Sequence, residues 1–146
     1  MTELPSIEYL AGIFDGEGCI ALNKLKPKGY TRPGLQLKID ISMTHQKTVE
    51  NFKDRWGGSY AEYSRSRGKD YFRWNIHAKL ALPFLEEIEP HLRIKNEQAL
   101  IGIEFQRIRN ARLASRKTDE EFEAEWKLYE RMKRLNARWG TEYYNE

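Results

Sequence analysis

Residues 10–18 read Leu-Ala-Gly-Ile-Phe-Asp-Gly-Glu-Gly, a small and apolar run that ends in two carboxylates, Asp15 and Glu17, set among Gly12, Gly16 and Gly18. A carboxylate can do two kinds of work in such a place: accept hydrogen bonds from backbone N–H groups, or ligate a hard divalent cation through oxygen. Gly12 and Gly16 lie one helical turn apart, so a helix over this run offers a face that a second backbone can approach closely. The two acids then emerge where that helix ends. For a lone Glu-Gly pair, a solvated acid in a glycine turn is the plain alternative.

Other reactive side chains are sparse. His45, His77 and His91 are 32 and 14 residues apart, with no acid or cysteine arranged near them, which disfavours a zinc or histidine-centred nuclease site. The single Cys19 excludes an internal disulfide and suits a reducing compartment. Directly after the acidic turn, it reads as inert packing on the first strand rather than as a nucleophile.

The elements that must position these groups follow from hydrophobic periodicity. In residues 35–43, apolar Leu35, Leu37, Ile39, Ile41 and Met43 alternate with Gln36, Lys38, Asp40 and Ser42, the signature of a strand with one buried face. Its polar side chains match base edges in a major groove, although any solvated antiparallel sheet shows such a row. Around it, the spacing predicts a helix from Ser6 to Phe14 and a strand over 18–25, then a basic, turn-rich connection over 26–34. A helix over about 46–56 stops at Gly57-Gly58, and a hairpin joins 59–65 to 70–77. A helix over about 79–88 admits Pro83 only in its first turn, and a long helix runs from Ile94 to about Arg112, apolar at Leu100, Ile103 and Ile108.

Thr118 and Glu121 form a capping box for a last helix, to about 139, with the stripe Phe122, Trp126, Tyr129, Met132 and Leu135. That spacing points to core or interface rather than to a platform for stacked bases, and Trp56 and Trp74 read as anchors of sheet-helix packing. The expected class is α+β, in the order αββαββα with C-terminal helices, as one domain over 1–146 with its core in 6–113.

A chain of 146 residues, 40% hydrophobic and 32% charged, has the composition of a soluble globular protein. No basic n-region precedes the first apolar stretch, which Glu3, Glu8, Asp15 and Glu17 interrupt, so neither a signal peptide nor a membrane span is expected. The expected location is intracellular, in cytoplasm or in an organelle such as the chloroplast. The net charge is only +3, but residues 21–75 hold twelve Lys and Arg against five acids, +7 in that block and −4 elsewhere. This asymmetry fits one face aimed at a polyanion; a solvated basic surface is the alternative that charge counting alone favours.

With the elements in place, the run at 10–18 resembles the motif of the LAGLIDADG homing endonucleases, and it falls at the end of the first helix, where that family carries it. Leu10, Ala11, Gly12, Asp15 and Gly18 agree with the pattern, and Glu17 replaces an aspartate. The similarity is to the single-motif, homodimeric type, such as the chloroplast intron-encoded members. It continues through Asp70-Tyr71 and through the segment from Pro90 to Ala99, which resembles the stretch bearing the family's active-site lysine. Beyond about residue 115 the match weakens.

The resemblance implies a homodimer whose antiparallel sheets form a saddle over duplex DNA and which hydrolyses both strands at a long, roughly palindromic site. Ala11, Gly12, Asp15 and Gly16 would meet the second copy at the two-fold axis, Asp15 more as a structural acid that bonds backbone N–H groups or steadies the partner helix. Glu17 and the Gly16 carbonyl would ligate Mg²⁺, for which Mn²⁺ could substitute. Lys95 would stand near the attacking water, and either His45 or Gln46 would fill a nearby polar position. The relatives' arginine one turn further on meets Val49 or Glu50 here, leaving Arg65 or Lys47 to supply that charge in space.

Candidate groove and phosphate contacts are Asn23, Lys26, Lys28, Tyr30, Arg32, Gln36, Lys38, Asp40, Ser42, Arg65, Arg67, Lys69, Asp70 and Arg73. On the same scaffold, an RNA-splicing maturase bound to intron RNA and a non-cleaving DNA-binding protein are the alternatives. An ordinary interaction domain with a purely structural glycine turn is a third.

Overall fold

The computed structural model describes residues 3–26, 29, 33–112 and 117–144, without the side chains of 138–144. Helix α1 (Ile7–Glu17) starts at Ser6, whose hydroxyl accepts the Tyr9 N–H at 3.2 Å, and runs directly into strand β1 (Gly18–Leu25). Strand β2 (Gly34–Met43) pairs antiparallel with β1, Gly18 facing Ile41. Helix α2 (Gln46–Trp56) ends at Gly57, and at Gly58 (φ 87°) a Cβ would come within 2.3 Å of the Ile76 side chain. Strands β3 (Ser59–Tyr63) and β4 (Tyr71–His77) follow, then α3 (Ala78–Ile88), a 3₁₀ turn at Glu89–His91, α4 (Asn96–Ala111) and α5 (Asp119–Tyr144). The sheet order is β1-β2-β4-β3, antiparallel throughout.

The alternation in β2 does what its period requires: Leu35, Leu37, Ile39 and Ile41 are buried beneath the helices, with Ile20 and Leu22 of β1 and Trp74 and Ile76 of β4 beside them. Phe14, Phe52, Trp74 and Phe84 close the core from three helices and a strand, with ring centroids 5.2 Å apart in Phe14–Phe84 and Phe52–Trp74. Each such side chain contributes about 1.5–3 kcal/mol through burial. Trp74 also donates its indole N–H to the Gly57 carbonyl at 2.6 Å, and Trp56 packs edge-on to Phe84, so both tryptophans join sheet to helix as expected.

Helix α5 closes back on β1 and α4. Leu128 and Met132 are buried, and the Asn136 amide donates to the Ile20 carbonyl at 2.9 Å. The capping box is formed: the Thr118 hydroxyl accepts the Glu121 N–H at 3.1 Å. Fully buried Glu125 is compensated by Arg109, Arg112 and Lys117.

Four expectations change. Pro83 sits in the second turn of α3 rather than the first, and both Pro83 and Lys79, the residue four before it, are exposed, so the missing donor falls on an outer side of the helix. Leu100 is exposed, because α4 turns Ala99, Ile101, Gly102, Ile103 and Phe105 to the core instead. Cys19 is exposed on the polar side of β1, opposite Asp40, rather than packed. The last helix runs on to Tyr144. Among the described residues, no helix is long and apolar enough to cross a membrane.

Candidate active site

The two acids of the motif, two residues apart, have different fates. Asp15 is buried, and its carboxylate accepts three backbone N–H groups, from Arg93 at 2.8 Å, Ile94 at 3.1 Å and Lys95 at 3.0 Å. Lys95 is the residue at which α4 begins, and its own side chain makes no cap, so Asp15 supplies from across the fold the negative charge that a helix N-terminus favours. In return the Lys95 ammonium donates to the Asp15 carbonyl at 2.5 Å. This reciprocal clamp joins the end of α1 to the start of α4 and places Lys95 beside the motif. Burial pushes the Lys95 ammonium below its ordinary value, opposed by the charges of Asp15, Cys19 and Glu17. The Asp15 carboxylate is thus engaged by backbone N–H groups of its own chain.

Glu17, the last residue of α1, remains exposed, as does Gly16. Two clefts meet at this helix end. One, of about 500 Å³, is lined by Gly16, Gly18, Cys19, Lys95, Gln98 and Asn136 among others. The second, of about 260 Å³, is lined by Glu17, Ser42, Met43, Thr44, Arg65 and Tyr71. Gln98 and Asn136 were not anticipated, and no local pattern marks them, since Asn136 arrives from a helix 116 residues away from the strand it touches.

The glycines of the motif divide in the same way as its acids. At Gly18 a Cβ would lie 2.3 Å from the Phe14 ring, so the chain's own core requires glycine there. At Gly12 and Gly16 a Cβ would meet nothing within 4 Å. Both glycines lie on the exposed side of α1. Ala11, expected beside them, is fully buried in its own core, because its position on the helix turns it inward with Leu10 and Phe14. It is not part of the free face.

Neither His45 nor Gln46 lines the Glu17 cleft. His45 caps α2, its Nδ1 accepting the Thr48 N–H at 3.3 Å and lying 2.7 Å from the Thr48 hydroxyl. Gln46 donates to the Tyr60 hydroxyl at 3.2 Å and to Glu62 at 3.0 Å on β3. Among the described residues, no three His, Cys, Asp or Glu side chains converge as a metal site. With Asp15 bound to backbone N–H groups, the described residues at this helix end leave the Glu17 carboxylate and the neighbouring Gly16 carbonyl as oxygen donors. Oxygen donors of this kind suit a hard cation, but two of them do not fill its coordination shell.

Opposite the helices, the register sets Asn23 against Gln36, Cys19 against Asp40, and Ser42 against Arg73, with Lys38 and Asp40 facing His77 and Asn75. Gln36, Lys38, Asp40, Ser42, Asn23 and Arg73 thus share one polar face. Asn75 and His77 join them, legible once β4 is read with the parity of Arg73. Asp40 and Arg73 bind each other at 2.8 Å. Lys26 is exposed just past β1, and Arg65, Arg67, Lys69 and Asp70 are exposed on the β3–β4 connection. Lys28, Tyr30 and Arg32 lie outside the described residues.

Solved structures share this architecture. The homing endonuclease I-CvuI, in complex with its target, superposes with a TM-score of 0.72 over 88% of this chain and 80% of that one, at 17% identity. The fold is that of the LAGLIDADG homing endonucleases. I-TnaI, another homing endonuclease, matches with a TM-score of 0.68 over 93% of this chain and 99% of its own, at 15% identity. The LAGLIDADG enzyme I-SmaMI, bound to cleaved DNA, matches at 0.69 and 16% identity over 86% of this chain but only 43% of its own. One copy of the LAGLIDADG fold therefore fills less than half of that longer chain. No family model and no curated protein matches this sequence.

Proposed function

We propose that this protein is a homodimeric, metal-dependent endonuclease that hydrolyses both strands of duplex DNA at a long, roughly palindromic site. The observation that carries the reading is the split of the motif: Asp15 is consumed by the Lys95 clamp, while Glu17 is left free at the end of a helix whose outward face bears two glycines its own fold does not need. Exposed helical glycine costs about 1 kcal/mol relative to alanine, so its retention at both positions is accounted for by a second backbone lying against them. A two-fold copy of α1 there brings a second Glu17 and Gly16 to the axis.

Glu17 and the Gly16 carbonyl of both copies would hold Mg²⁺, which when bound acidifies water and neutralises charge at the cleaved phosphate. Lys95, fixed by its bond to the Asp15 carbonyl, stands beside that phosphate and donates to the charge that develops on it. The polar face of the sheet supplies base-edge contacts through Gln36, Lys38, Ser42 and Arg73, and the basic connections position the DNA backbone. Binding on this account weakens steeply with salt.

A plasmid library of randomised palindromes, incubated with the protein and Mg²⁺ or EDTA, tests the reading. Metal-dependent double-strand cuts that disappear in Glu17→Gln are expected. Sequence-specific binding without cutting by the native protein would leave a DNA-binding protein and sink the nuclease.

A further inference from the structure

Among the described residues, the Glu17 cleft holds one cation, Arg65, and its setting differs from that of Arg73 on the sheet face. Its guanidinium carbon lies 4.6 Å from the Tyr71 ring centroid, and that ring stacks on Tyr63 at 4.8 Å and 11°. Arg65 makes no ion pair among the described residues, whereas Arg73 is bound to Asp40 and Arg55 to Glu87. Stacking orients the planar group while leaving its N–H donors free. Lys47, at the start of α2, is exposed and does not line the cleft. Lys95 thus approaches the end of α1 from one cleft and Arg65 from the other.

We propose that Arg65 is a catalytic residue: its guanidinium contacts the non-bridging oxygens of the phosphate being cut, rather than reading a base. This rests on the endonuclease reading above. In the hydrolysis, a water oxygen forms a bond to phosphorus, the bond from phosphorus to the 3′ oxygen breaks, and a proton passes to that oxygen. Arginine does not give up a proton at neutral pH, so Arg65 acts through charge and hydrogen bonding alone. Ser42 and Thr44, across the same cleft, bound the space into which the phosphate fits.

The test uses the native dimer and Arg65→Ala on a target recovered from the library, with two readouts. In metal-free buffer, the slope of log affinity against log salt falls by about one to two in Arg65→Ala, one phosphate contact per subunit. With Mg²⁺ and saturating protein, single-turnover cleavage falls by about 10²–10³. Added methylguanidinium restores part of the rate in Arg65→Ala and none in Glu17→Gln, and Arg65→Lys falls between the two. An Arg65→Ala protein that cuts saturated DNA at the native rate, with altered base preference, overturns the assignment alone. A native protein that makes no metal-dependent cut removes the endonuclease reading and this assignment together.

Discussion

The two sides of α1 obey different rules. Its inner side, Leu10, Ala11, Phe14 and Asp15, is accounted for by the chain itself: three apolar groups fill the core and the acid accepts three backbone N–H groups. Its outer side, Gly12, Gly16 and Glu17, is not accounted for by the described residues, since a Cβ at either glycine would meet nothing within 4 Å and the acid has no hydrogen-bonded partner among them. Where a fold explains its residues, mutation should cost stability; where it does not, mutation should cost something the isolated subunit never shows.

The sharpest contrast is between the two acids. Glu17→Gln is expected to lose at least about 10³-fold in cleavage, with its denaturation midpoint unchanged. Asp15→Ala is expected to lose about 3 kcal/mol or more in chemical denaturation, because three backbone donors lose their acceptor. Comparable stability losses in the two variants would erase the distinction. Next come the glycines. Gly16→Val has room within one chain, so the subunit should stay folded by circular dichroism while sedimentation shows dimerisation weakened by at least about 100-fold, the scale of losing a central, closely packed contact. Gly18→Ala should instead cost about 1–3 kcal/mol through the Phe14 ring and leave subunit association intact.

Smaller effects are expected at two positions outside α1. His45→Ala should cost about 1 kcal/mol of stability through the lost α2 cap, measured by urea titration. The weakest is Glu87, whose carboxyl is held below its ordinary value first by the Arg55 hydrogen bonds, with Trp56 also donating. A depressed folded-state value stabilises the fold above the unfolded-state pKa, and the contribution is lost as pH falls through the folded one. Glu87→Gln should therefore flatten the acid limb of the stability profile by less than about 1 kcal/mol, since the pair is solvent-screened.

How much of this was legible in the chain depended on whether the signal was local. Alternation in 35–43, the Gly57-Gly58 stop and the Thr118–Glu121 box are contained within a few residues, and each forms as its chemistry demands. Asp15's bonds are to backbone N–H groups 78 to 80 residues away, which carry no side-chain signature. Ala11 turns inward, which spacing does not disclose, because it tells which residues share a face but not which face is buried. Arg65 and Lys47 are alike in sequence as cations, and only the tertiary structure brings Arg65 to the Glu17 cleft beside Ser42 and Met43 while leaving Lys47 outside it.

The central claim is that two copies of Glu17 act as one site, and subunit mixing tests it most directly. Native and Glu17→Gln subunits are mixed in varying ratio at constant total dimer, and all strand scission of a bound target is followed in Mg²⁺. The shared site predicts that scission falls with the square of the native fraction and that mixed dimers cut neither strand. Nicked DNA accumulating in proportion to the mixed dimer would contradict it.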